Sequence, residues 1–162
     1  MRNLALSAVL VMMSALGVAA QEFKVDFGVS TSDRDAPIEV SANAMSVDQA
    51  TGKAILDGNV EIMQGEMLLS AAKVDVLYNT DNDGISQLLA TGGVNIKSGT
   101  DTATADAAEY DVETGLIRMK GNVSLLQQGT KITAGRMDVN LNDNTAAFHG
   151  RVRTVLQPGG GN

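Results

Sequence analysis

The side chains that could do chemistry are few and are spread along the chain. His149 is the sole histidine and there is no cysteine, so neither a zinc site nor a nucleophilic triad has its usual members. The run "DNDG" (81–84) resembles the start of a calcium loop but lacks the later ligands, and a solvated turn is the better interpretation. We therefore expect no catalytic residue, no metal and no cofactor.

One close group of basic residues stands out as a candidate for a glycan-acting site; it consists of Arg118, Lys120, Arg151 and Arg153. A glycan-acting enzyme needs a pair of carboxylates beside its substrate, and no acidic pair shares this face. The formal net charge of −7 at pH 7 argues against nucleic acid and against an anionic membrane surface as partners. Charge and composition thus favour a binding or structural protein over an enzyme.

The elements that position these side chains are repeated. A glycine two residues before a valine occurs in "LDGNVEIMQG" (56–65), "ATGGVNIKSG" (90–99), "MKGNVSLLQQG" (119–129) and "FHGRVRTVLQ" (148–157). The glycines, Gly58, Gly92, Gly121 and Gly150, are 34, 29 and 29 residues apart, and the upstream hydroxyl residues Ser41, Ser70, Thr104 and Thr133 are 29, 34 and 29 apart. One insertion in "NTDNDG" (79–84), an enlarged turn, explains both long spacings. The pattern predicts four copies of a two-strand unit.

Apolar and polar residues alternate within each unit, so the period is two rather than 3.6. In the third copy, for example, Met119 and Val123 share one face and Lys120 lies on the other. This alternation predicts antiparallel strands with one dry face and one wet face. The first upstream strand breaks the alternation between Ala42 and Met45, which indicates a bulge or a corner there.

The repeated glycines stand in mid-strand, where a glycine either makes a bend or leaves room for something. We favour a corner, where the sheet folds over on itself, although a widened interior is compatible with it. Three turn residues, Gly52, Gly115 and Asn144, lie six residues before a motif glycine and predict left-handed backbone. The result is a roll whose two sheets face each other across an apolar interior.

The chain ends differ from the repeats. Residues 1–20 carry one arginine, an uncharged apolar run and small residues at their end, as in a secretory signal peptide cleaved before Gln21. An uncleaved membrane anchor is the alternative interpretation. We expect a flexible lead-in over 21–36, the β-domain over 37–157 and a flexible tail over 158–162.

With these motifs the chain resembles the OstA-like domain family of lipopolysaccharide transport proteins. The resemblance rests on residues 37–78, with "GNV" followed by "QG", and continues through "GNVSLLQQG" (121–129) and "RVRTVLQP" (151–158). Together with the repeats it implies an all-β fold, an antiparallel β-jellyroll of four two-strand repeats that is open along one side. It also implies a non-enzymatic carrier in the periplasm of a Gram-negative bacterium, which shields lipopolysaccharide acyl chains between the inner and outer membranes.

The resemblance further implies partners and contact residues. The partners are lipopolysaccharide, an inner-membrane OstA-like anchor protein and an outer-membrane translocon, with copies joined end to end by edge strands. Cargo contacts are expected at Ile38 and Val40, which match the family's first inward strand. Further lining residues are chosen from the apolar side chains on the predicted inward face: Leu56, Val60, Ile62, Leu69, Val76, Met119, Val123, Met137 and Phe148.

Two edges of the roll are expected to be unpaired, near residues 38–47 and 148–156, and unpaired edges invite another strand. The residues chosen for partner pairing are Val40, Met45, Val47, Val152, Arg153 and Leu156. Two other functions stay open. One is the inner-membrane-anchored member of the same pathway, which would keep residues 1–20; the other is a structural or glycan-acting β-solenoid.

Overall fold

The structure is a computed structural model that describes residues 36–79 and 84–156, together with the backbone of Phe23 and Lys24. The predicted signal peptide (1–20), the predicted tail (158–162) and most of the predicted lead-in lie outside these residues. The described residues form eleven strands: β1 (Phe23–Lys24), β2 (Ile38–Ser41), β3 (Ala44–Asp48), β4 (Lys53–Gln64), β5 (Met67–Tyr78), β6 (Ile85–Ser98), β7 (Asp101–Asp111), β8 (Leu116–Gln127), β9 (Thr130–Asn140), β10 (Thr145–His149) and β11 (Arg153–Leu156). Among them no helix is long and apolar enough to cross a membrane.

The long strands form an antiparallel meander in which each pairs with the next along the chain, from β4 to β9. At one end of the meander β2 and β3 both pair with β4, and at the other end β10 and β11 both pair with β9. The predicted all-β antiparallel fold is confirmed. The described strands are consistent with four two-strand units.

Tight turns allow this meander because their left-handed positions carry residues that tolerate positive φ. Gly52, Gly115 and Asn144 have φ of 62°, 67° and 51°, as predicted for these three positions. The insertion "NTDNDG" joins β5 to β6, where the backbone N–H of Asn79 donates to the carbonyl of Gly84 over 2.7 Å. The loop centre, 80–83, lies outside the described residues.

A line of β-bulges crosses the whole sheet at the repeated glycines. In β4 two residues, Gly58 and Asn59, lie between Asp57 and Val60, whereas β5 has only Ala72 between their partners. The same extra residue occurs at residues 92–93 in β6 and 121–122 in β8. Both bulged residues have positive φ, for example 76° at Gly58 and 47° at Asn59. At Gly150, where φ is 76°, the chain passes from β10 to β11, which pair with the two ends of β9. The predicted corner therefore exists at all four repeated glycines.

The bulges also explain the break in alternation. In a strand that contains a repeated glycine, the inward residues on the two sides of the bulge are four positions apart, as are Leu56 and Val60. In its partner strand they are three positions apart, as are Ala71 and Val74. Both strands consequently keep their apolar side chains inward. Glycine is required because the opposing strand occupies the space of a side chain: a Cβ on Gly92 would lie 2.6 Å from the Cβ of Ala72. The glycines make the corner rather than widen the interior.

The bulge line divides the sheet into two halves that face each other. We call the side with β3 and β10 the first half-sheet and the side with β2 and β11 the second half-sheet. Met67 and Ile96 of the second half-sheet border the same internal space as Ile117 and Val139 of the first. Their inward side chains form one buried core, so the molecule is a roll with an apolar interior.

Gly92→Ala and Gly93→Ala form a matched pair that separates backbone strain from crowding. Both residues have positive φ, 82° and 87°, but a Cβ on Gly93 would meet nothing within 4 Å. We expect Gly93→Ala to lower the free energy of unfolding by about 1–2 kcal/mol, and Gly92→Ala by about 1–3 kcal/mol more, through overpacking. Urea denaturation measures both; equal losses would contradict the crowding argument.

Candidate functional site

The interior is open at the β2–β3 end of the sheet. A cavity of about 320 Å³ lies there between the two half-sheets and is lined mainly by apolar side chains. Of the predicted lining residues, the following border it: Ile38, Val40, Leu56, Ile62 and Val76. Sequence reasoning missed Tyr78, Ile85 and Leu88, which also border it. Alternation predicts an inward direction for Leu88 and makes no prediction for Tyr78 and Ile85. Only the fold shows that all three side chains reach the cavity.

The rest of the interior is closed. Val60, Met119, Val123 and Met137 are at most 1% exposed, and the space beside Met119 and Met137 is about 10 Å³, at the lower limit for one water molecule. Leu69 is likewise buried, and Phe148 is half-buried against the core. The structure places these six residues in packed core and not in the open cavity. Their contact with cargo stays a prediction.

The cavity opens because β2 and β3 have a neighbour on one side only among the described strands. Val40, Met45 and Val47 pair opposite the buried Ile62, Leu56 and Ala54, and cross-strand partners share a face. The three residues therefore point toward the interior. They are nevertheless 45%, 60% and 56% exposed, because none of the other described strands covers them. The predicted N-terminal edge is thus both an open edge and the mouth of the cavity.

The other end of the sheet is partly covered. The two-residue strand β1 pairs with β10, with Phe23 opposite Ala146 and Lys24 opposite Thr145; sequence reasoning placed these residues in the lead-in and missed the strand. Such a short pairing has no periodicity to reveal it. β11 pairs only with β9, and the predicted edge residues Val152, Arg153 and Leu156 are exposed. Within the described residues, β11 and residues 147–149 of β10 therefore form the free part of this edge.

Charged side chains lie almost entirely on the outer face. The Nζ atom of Lys53 lies 2.8 Å from a carboxylate oxygen of Asp75, and this contact holds the pKa of Asp75 below its usual range. His149 lies 3.4 Å from the carboxylate of Asp138, which also pairs with Arg136. The described residues contain no group of three side chains that could hold a metal ion. What the interior can do chemically is shelter apolar chains.

The fold and this interior are those of an open β-jellyroll. The chain belongs to the family described as "LptA/(LptD N-terminal domain) LPS transport protein", whose profile matches residues 39–155. The resemblance to OstA-like proteins is thereby confirmed.

Two individual proteins illustrate the similarity. The crystal structure of LptH from Pseudomonas aeruginosa, the LptA-homologous periplasmic component of the lipopolysaccharide transport device, matches with a TM-score of 0.72. That match covers 78% of this chain and 99% of LptH at 18% sequence identity, and it supports the fold. An uncharacterised protein of Rhizobium meliloti (strain 1021) is 27% identical over 135 residues, covering 76% of this chain and 73% of that protein.

Substituting two fully buried alanines tests the contrast between open and closed interior. Ala54 borders the cavity, whereas Ala103 packs between Ile96 and Leu125 in the closed part. We expect Ala103→Leu to lower the free energy of unfolding by about 1–3 kcal/mol through overpacking. Ala54→Leu should cost less, because the added carbons enter existing space. The measurement is urea denaturation, and a larger loss for Ala54→Leu would show that the cavity is not available to side-chain atoms.

Proposed function

We propose that this protein is a periplasmic carrier that shields the acyl chains of lipopolysaccharide between the inner and outer membranes. The observation that carries the proposal is the apolar cavity with an open mouth, in a chain that belongs to a family of lipopolysaccharide transport proteins. Export through the signal peptide predicted at residues 1–20 would deliver the protein to the periplasm.

The energetics suit a carrier. Each methylene removed from water contributes about 0.8 kcal/mol, so ten sheltered methylenes contribute roughly 8 kcal/mol, near micromolar affinity before the costs of association. Apolar contacts have no fixed direction, so a chain can slide from one set of side chains to the next. A lining of this kind releases its cargo more readily than a deep polar pocket.

Photo-crosslinking in cells tests the carrier function. A crosslinking residue at Ile38 or Met45, both of which border the cavity, should give an adduct with lipopolysaccharide. One at Glu61, exposed on the outer face of β4, should give none and serves as the matched control. Equal labelling at all three positions, or no adduct at Ile38 and Met45 with the protein present at normal levels, would contradict the proposal.

We also propose that copies join end to end, with β11 of one pairing with β2 of the next. Eight strands lead from β2 through β4–β9 to β11, and every successive pair is antiparallel. β11 therefore runs opposite to β2, so a translated copy would continue the antiparallel alternation. The same edges suit OstA-like strands of an inner-membrane anchor protein and an outer-membrane translocon.

The charges at the two edges are opposite in sign. Glu39 and Glu61 lie near the β2 edge, and Arg151 and Arg153 lie at the β11 edge. None of the four has an ion-pair partner in the described part of the chain. Such complementarity steers association and suppresses wrong partners.

Charge reversal on two separate copies tests this docking. Arg151→Glu/Arg153→Glu should weaken self-association, and Glu39→Lys/Glu61→Lys should do the same, because each places like charges at the joint. In a mixture of the two variants both joints between unlike copies pair opposite charges, so hetero-association should recover, as measured by sedimentation equilibrium at low salt. Circular dichroism provides the folding control. If neither variant changes self-association, β11 and β2 are not the docking edges.

A further inference from the structure

Three polar side chains occupy inward positions at the rim of the second half-sheet. Ser98, Asp101 and Gln127 end the inward rows of β6, β7 and β8, and Ser98 pairs directly with Asp101. They are 3%, 7% and 8% exposed, although apolar residues fill the inward positions before them. Apolar residues at these three positions would continue the inward face of each strand. Strand formation and core packing therefore do not require polar side chains here.

The three side chains satisfy one another only in part. The Nε2 group of Gln127 donates to the carboxylate of Asp101 over 2.7 Å, and the hydroxyl of Thr100 lies 3.5 Å from its other oxygen. No cation pairs with Asp101 among the described residues. The hydroxyl of Ser98 is buried and makes no hydrogen bond there. A buried carboxylate without a cation and a buried hydroxyl without a partner both cost free energy.

The surroundings of this cluster are apolar. Met67, the strand neighbour of Ser98, borders the two small spaces of the closed interior, as does Ile96. The turns 98–101 and 127–130 lie directly beside the cluster. Ile38, which borders the open cavity, lies in the same cross-strand row as Ser98. An amphiphile with its chain in that cavity would therefore bring its first polar groups to this rim.

We propose that Ser98, Asp101 and Gln127 form a polar subsite that binds a hydrogen-bond donor of the cargo, a hydroxyl or amide N–H close to the acyl chain. The carboxylate and the Ser98 oxygen are acceptors, so a donor satisfies both. An anionic group is disfavoured because it would face the carboxylate of Asp101. The subsite rests on the proposed carrier function and adds a preference among amphiphiles to it.

Two dodecyl amphiphiles, each below its critical micelle concentration, test the subsite on the mature protein. Dodecyl glucoside carries hydroxyl donors, whereas dodecyldimethylamine N-oxide in its neutral form carries acceptors only. We expect Ser98→Ala and Asp101→Asn each to weaken binding of the glucoside about fivefold, the loss expected for one hydrogen bond. Neither substitution should weaken binding of the N-oxide, whose oxygen cannot donate a hydrogen bond. Calorimetric titration measures both affinities.

Ser124→Ala is the matched control, because Ser124 lies half-buried on the outer face of the same strand as Gln127; it should change neither affinity. Ser98→Ala should also leave the urea midpoint unchanged or raise it, since its hydroxyl has no partner to lose and its burial costs free energy. Variants that bind both amphiphiles like the wild type, or weaken both equally, would overturn the subsite and leave the carrier function standing. Failure of the wild type to bind either amphiphile would overturn both.

Discussion

One constraint governs this structure: each long strand must pass from one half-sheet to the other without moving its apolar side chains to the solvent face. Because side chains alternate with a period of two, a slip of one residue would reverse the two faces. At the bulge line the inward residues are four positions apart on one strand and three on its partner, as at Leu56–Val60 and Ala71–Val74. Both strands therefore keep their apolar side chains on the inward face. The facing half-sheets, the core and the cavity all depend on the bulge line.

The number of neighbouring strands then decides where the interior is open. A strand in the middle of the sheet has a partner on each side, and there the inward side chains pack against each other, as Met119 and Met137 do. In the part of the chain that the structure describes, β2 and β3 have a partner on one side only, and the half-sheets enclose a cavity beside them. Position in the strand order, rather than residue type, distinguishes a lining side chain from a core side chain.

This difference also sets the limit of prediction from the sequence. The alternation in each repeat predicts the inward face correctly, and the repeated glycines and Asn144 predict the corners and turns, because these are local effects of backbone and side-chain geometry. Parity cannot separate Val40, which borders the cavity, from Val123, which is 1% exposed, since exposure depends on distant strands. The sequence does not reveal strand β1, because two residues are too few to show alternation. It also does not reveal that Asp101 points inward, because a polar residue beside a turn is normally solvent-exposed.

The open edge and the open cavity are parts of one feature, which links assembly to cargo binding. Val40 and Met45 border the cavity and also belong to the edge strands β2 and β3. At the far end, Leu156 pairs opposite Thr130 on the inward face of β9 and is 73% exposed. A joint between β11 and β2 of successive copies would bring these exposed inward side chains together. It would extend the sheet and the apolar interior in the same step, so that a chain sheltered in one copy would meet the lining of the next without entering water.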